Sequence, residues 1–135
     1  MVVTPLYAAL LALWLLVLSL RVIQQRRVAR VSLGAGGNAR LERAIRGQSN
    51  FIEYVPIALL MLLVLELARF SIYLLHLFGI VLLVGRLLHG YAFAFTAHAR
   101  FGRSVGTALT YVVLAIEAVL CLYQAWRGHI VWFAT

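Results

Sequence analysis

At 135 residues, with 64% hydrophobic side chains and a mean hydropathy of +0.98, the chain carries more apolar surface than one water-soluble domain can bury. Its net charge of +8 comes entirely from arginine set against four glutamates, with no lysine and no aspartate. Cys121 is the only cysteine, which excludes an internal disulfide and argues against a metal cluster.

Four helical spans are predicted in chain order. The first runs over about residues 4–31, uncharged across 2–20 and arginine-rich thereafter. Its basic flank follows the apolar run, the reverse of a cleavable signal peptide. Ser32 to Asn38, broken by Gly34, Gly36 and Gly37, is the one segment that reads as a true loop. The second helix is expected over about 41–69, the third over 71–99 and the fourth over 104–128. Short joins at Phe70-Ser71 and Phe101-Gly102-Arg103 force antiparallel hairpins. The expected fold class is therefore an all-α membrane protein, a single four-helix bundle.

Charge orients this bundle. Seven arginines fall between positions 21 and 46, and Arg100 and Arg103 flank the last turn, whereas only Arg69 and Arg127 lie on the other side. The positive-inside rule places both basic connections in the cytoplasm and both termini outside. In this setting the basic charge meets anionic headgroups of membrane lipids, and nucleic acid is not expected as a partner.

Polar residues inside the spans are the functional candidates. Arg43, Arg46, Asn50 and Glu53 share one side of the second helix, with Tyr54 at the flank, where the apolar run 55–65 begins. Such groups are costly unless they face protein, water or ligand. Arg86, His89, Phe93 and Arg100 form a similar stripe on the third helix. Arg86 reads as too deep to remain unpaired, and Glu53 and Glu117 are equally good partners for it. Glu66 and Arg69, three apart, read as a structural pair. His76, Trp14, Trp126 and Trp132 read as lipid-facing or interfacial fillers.

The stretch from Glu42 to Pro56 resembles the MAPEG family (membrane-associated proteins in eicosanoid and glutathione metabolism), whose pattern is E-R-x-x-R-x-x-x-N-x-x-E-x-x-P. Glu42, Arg43, Arg46, Gln48, Asn50, Glu53, Tyr54 and Pro56 all match it. Arg26-Arg27 followed by Arg30 resembles the end of the first helix in the leukotriene-synthase branch. Gly85-Arg86-Leu87-Leu88-His89 is similar to the prostaglandin E synthase branch.

The resemblance implies a homotrimer with glutathione bound between neighbouring subunits near the cytoplasmic face. The implied glutathione ligands are Arg26, Arg27, Arg43, Arg46, Gln48, Asn50, Glu53, Tyr54, Arg86 and His89. Arg100 falls where the leukotriene-synthase branch has its thiolate-activating arginine, and Arg103 takes that place if the register slips. Phe93 departs from the family pattern because it cannot donate a hydrogen bond where the synthase has tyrosine. The chemistry agrees independently: arginines fork onto carboxylates, Glu53 suits an ammonium, Asn50 suits amides, and Tyr54 can hydrogen-bond or stack.

The expected function is a membrane-bound glutathione transferase or peroxidase acting on lipophilic electrophiles or lipid hydroperoxides. No resident metal is expected. The alternative is a non-catalytic membrane scaffold that binds lipid or glutathione. A small transporter is disfavoured because the first span lacks a carboxylate. The short, arginine-only chain suggests a bacterial inner membrane protein.

Overall fold

The computed structural model describes the backbone of residues 1–96 and 100–134, with side chains described up to residue 128. Four helices make up the protein: α1 (Val3–Ala29), α2 (Ala39–Leu67), α3 (Ile72–Ala94) and α4 (Arg100–Ala134). All four are long and apolar enough to cross a membrane, and no strand occurs among the described residues.

The helix ends are set by local chemistry. Asn38 caps α2, its side-chain oxygen accepting from the N–H of Arg40 (3.0 Å) and Leu41 (3.1 Å). α1 has no side-chain cap of its own. Instead the Glu66 carboxylate, near the far end of α2, accepts from the N–H groups of Val2, Val3 (2.9 Å) and Thr4 (2.8 Å). This corrects the expected Glu66–Arg69 pair. A carboxylate that satisfies several orphan donors and faces the positive end of a helix gains more than an exposed ion pair does.

α1 and α2 close in the same way. Val31 N–H reaches the Arg26 carbonyl and Arg30 N–H the Arg27 carbonyl. Likewise Phe70 N–H reaches the Leu65 carbonyl and Arg69 N–H that of Glu66. The residue that turns left-handed in each case is an arginine, Arg30 (φ 54°) or Arg69 (φ 59°), rather than glycine. That conformation costs an L-residue about 1 kcal/mol. Arg69→Gly is therefore expected to stabilise the protein by roughly 0.5–1 kcal/mol, read as a higher midpoint of thermal unfolding in detergent. An unchanged or lower midpoint would contradict this.

Inside the bundle, Val3, Tyr7, Leu11 and Leu18 of α1 meet Phe51, Val55, Ala58, Leu62 and Leu65 of α2, which recur every three or four residues, and Leu75, Phe78 and Leu82 of α3. α2 and α3 form the centre; α1 and α4 flank them and do not touch each other among the described residues. The outward faces remain apolar, with Leu13, Leu16, Leu20, Val119 and Leu122 all exposed, as lipid contact requires.

Close helix approach depends on glycine. A Cβ on Gly106 would lie 2.5 Å from the Gly85 carbonyl oxygen and 2.7 Å from His89 Cβ, so α4 rests directly on α3. The Tyr7 ring lies against Gly79, and its hydroxyl pairs with His76 Nδ1 at 3.0 Å. Trp14 Nε1 donates to the Arg86 carbonyl at 3.1 Å. His76 and Trp14 are thus interhelical ties and not lipid-facing fillers. Trp126 is exposed, and the Trp132 side chain lies outside the described residues.

The last turn lies earlier than its sequence suggests. α3 ends at Ala94 and α4 begins at Arg100, so Phe101-Gly102-Arg103 belongs to the first turn of α4. Gly102 reads as a helix breaker yet acts as a packing residue: a Cβ there would sit 3.2 Å from Ala92 Cβ.

Candidate functional site

At the loop end of the bundle, α2, α3 and the α1–α2 loop enclose a cavity of about 500 Å³, within the range of small-molecule sites. Arg46, Asn50 and Glu53, spaced four and three apart, bring a cation, an amide and a carboxylate to one wall. His89 and Phe93 supply the opposite wall from α3, and Gly34 and Ala35 the rim, with Glu42 also lining the space.

Arg86 lies beneath this cavity, almost completely buried. Its Nη1 donates to Asn50 Oδ1 (3.0 Å) and its Nη2 to the Gly106 carbonyl (3.3 Å). Neither expected carboxylate is its partner. For Glu117 the reason is depth: Arg86 is about 8 residues from the end of α3, roughly 12 Å, whereas Glu117 is about 17 residues into α4, roughly 25 Å. The turn expected at Phe101-Gly102-Arg103 instead puts Arg86 and Glu117 at equal depth, which is what makes Glu117 read as a partner. Glu117 is fully buried, with neither carboxylate oxygen hydrogen-bonded. Because Arg86 can only donate, Asn50 must present its oxygen to it, leaving the Asn50 N–H groups for the cavity.

A groove of about 450 Å³ runs alongside, lined by His89, Phe93, Arg103, Thr107, Ala108 and Tyr111. His89 and Phe93 line both spaces and form the partition between them. The Arg103 guanidinium stacks over the Phe93 ring at 5.1 Å. Phe93 is held there because Gly47 lets α2 approach: a Cβ on Gly47 would lie 2.9 Å from Phe93 Cβ. Thus the residue that departs from the family pattern acts as an apolar wedge at the junction of the two spaces.

The other expected residues are distributed differently. Gln48 is turned about 200° from Arg46, and its Nε2 donates to Ser19 Oγ on α1 (2.8 Å). Tyr54 shares a hydrogen bond with Tyr111 (2.9 Å), at the groove rather than in the cavity lining. Arg26 donates to the carbonyls of Ser32 (3.2 Å) and Gly34 (2.9 Å), holding the loop that forms the cavity rim. Arg27 is exposed. Arg43 lines a separate pocket with Arg21 and Arg40. Arg100, the first residue of α4, is exposed and lies outside the lining of both cavity and groove.

Thr107 and Tyr111 were not among the expected residues. Their spacing of four from Arg103 and from each other was a readable signal, since it puts all three on one face of α4.

The MAPEG family profile matches residues 4–123. The inner membrane protein YecN, from two strains of Escherichia coli, is 39% identical over 127 residues, covering 93% of this chain and 95% of that protein.

Proposed function

The chain belongs to the MAPEG family, and from that premise we propose that it is a glutathione-dependent transferase or peroxidase of the inner membrane. The observation that carries this reading is the convergence of Arg46, Asn50, Glu53 and His89 on one cavity at the basic end of the bundle. The positive-inside rule puts both termini outside and this end of the bundle at the cytoplasmic face, where glutathione is held reduced.

Each wall residue has a match on the tripeptide. Arg46 forks onto a carboxylate, Glu53 takes the α-ammonium, and the Asn50 N–H groups serve a peptide carbonyl. The protomer's own charge set is incomplete, however. The lining pairs one guanidinium with two carboxylates, whereas glutathione carries two carboxylates and one ammonium. A second guanidinium has to arrive from elsewhere. Assembly as a homotrimer supplies it if the exposed Arg27 or the Arg26 of one subunit, together with Gln48, meets the cavity of the next.

The glutathione thiol, with an ordinary pKa near 8.5, is mostly protonated at neutral pH, and its thiolate is the nucleophile. Lowering that pKa by about two units needs about 2.7 kcal/mol of differential interaction, within the reach of a charge-assisted hydrogen bond. Arg103 is the residue for this role. Its guanidinium sits against Phe93, where cavity and groove adjoin, whereas Arg100 lies outside both linings. A lipophilic electrophile entering the groove from the bilayer meets the sulfur there. The sulfur forms a bond to carbon as the leaving group departs. With a lipid hydroperoxide, two glutathiones yield the disulfide, the lipid alcohol and water. The chain forms no covalent intermediate and supplies position and thiolate stabilisation.

Stopped-flow absorbance in the thiolate band tests the assignment. Arg103→Ala is expected to lose the bound-thiolate signal while still binding glutathione, and Arg100→Ala to keep most of it. The opposite ranking would return the role to Arg100. Binding without turnover of 1-chloro-2,4-dinitrobenzene would instead favour a glutathione-binding scaffold.

A further inference from the structure

Three arginines line a further pocket, on the other side of Phe93. Between α1, the start of α2 and the end of α3 lies a pocket of about 250 Å³ lined by Arg21, Arg40, Arg43, Gln25, Phe95 and Thr96, among others. No carboxylate is among its described lining residues, in contrast to the cavity that holds Glu42 and Glu53.

We propose that this pocket binds a phosphate-bearing anion at the membrane surface, either the headgroup of an acidic phospholipid or free phosphate. Three observations carry it. First, Arg21 is fixed in place. Its Nε donates to the Ala94 carbonyl (3.1 Å), its Nη1 to Gln24 Oε1 (2.6 Å), and its guanidinium stacks on Phe95 at 5.1 Å. A cation on a flexible stem normally swings into water, away from like charge. This one is tethered beside two others.

Second, Arg40 and Arg43 are three apart, so they project from the same side of α2 into that space. Third, Arg40 lies in the first turn of α2, where the positive end of the helix opposes a cation and favours an anion. Gathered guanidiniums repel one another until an anion joins them. Their planar forks suit phosphate oxygens, and basic pockets between spans on the cytoplasmic side suit acidic headgroups. The site is separate from the glutathione cavity, because Arg46, Asn50 and Glu53 line only the latter.

The test is calorimetric titration of the purified full-length protein in maltoside detergent with dihexanoyl phosphatidylglycerol, dihexanoyl phosphatidylcholine and inorganic phosphate. The expected result is saturable binding of phosphatidylglycerol, none of phosphatidylcholine, and at least tenfold weaker binding in the Arg40→Gln/Arg43→Gln double variant. Saturable binding of inorganic phosphate, lost in the same variant, supports the site with free phosphate as its ligand. Arg127→Gln, near the opposite end of α4, is the control and is expected to bind like the parent.

If the double variant fails to fold by circular dichroism, Arg40→Gln alone is expected to weaken binding severalfold. Two results would overturn the proposal: equal behaviour of the two lipids with no phosphate binding, or unchanged affinity in the arginine variants. Glutathione affinity measured in parallel is expected to be unchanged in Arg40→Gln, so failure here is distinct from failure of the glutathione reading.

Discussion

Gly106→Ala is expected to lower the stability of the folded protein by about 1–3 kcal/mol, and Gly106→Val by more. The new Cβ would meet the Gly85 carbonyl oxygen at 2.5 Å, His89 Cβ at 2.7 Å and His89 N at 2.9 Å. None of these is the free end of a flexible side chain, so α3 and α4 must separate. One interhelical hydrogen bond depends on the same point, because the Gly106 carbonyl, which also accepts from Thr110 Oγ1 within α4 (2.8 Å), accepts from Arg86 Nη2 across the interface (3.3 Å). Since α3 carries His89 and α4 carries Arg103, separation also opens the groove. Gly85→Ala, whose nearest contacts lie at 3.1–3.4 Å, is expected to cost less. Thermal unfolding in detergent ranks the two, and a Gly106→Ala protein as stable as the parent would contradict the packing described.

Arg46→Ala is expected to act oppositely, sparing the fold and removing the ligand. Arg46 is exposed in the protomer, so its truncation is expected to change stability by no more than about 0.5 kcal/mol. A charge-assisted hydrogen bond to a carboxylate is worth about 1.5–3 kcal/mol, which corresponds to roughly ten- to hundredfold weaker glutathione binding. Arg86→Ala separates the roles further. It leaves Asn50 Oδ1 without its donor and removes one of the two side-chain donors to the Gly106 carbonyl, so stability and affinity should fall together, by about 1–3 kcal/mol for the unpaired amide oxygen. Calorimetry and thermal unfolding on the two variants check this contrast. Equal losses of stability would refute it.

The four spans and the polar stripe of α2 were legible because apolar runs and helical spacing are local properties. What sequence could not supply was the relation between helices. Gly102 looks like a breaker because glycine does serve that purpose, and only the proximity of Ala92 reveals it as a packing residue. That misplaced turn produced the false depth match between Arg86 and Glu117. Gln48 matches the family pattern by position, yet its angle on α2 turns it to Ser19 on α1. Arg43 shares the side of Asn50 on a helical wheel, but the Phe93 wedge divides that side into two spaces. Glu66 shows the same limit, since its partners are backbone N–H groups more than sixty residues earlier in the chain.

Titration of reduced glutathione into the detergent-purified protein, followed by calorimetry, bears most directly on whether the α2 stripe is a binding site. Saturable binding is expected, weakened at least tenfold by Arg46→Ala and also weakened by Glu53→Gln. No saturable heat, or an affinity indifferent to both substitutions, would contradict it.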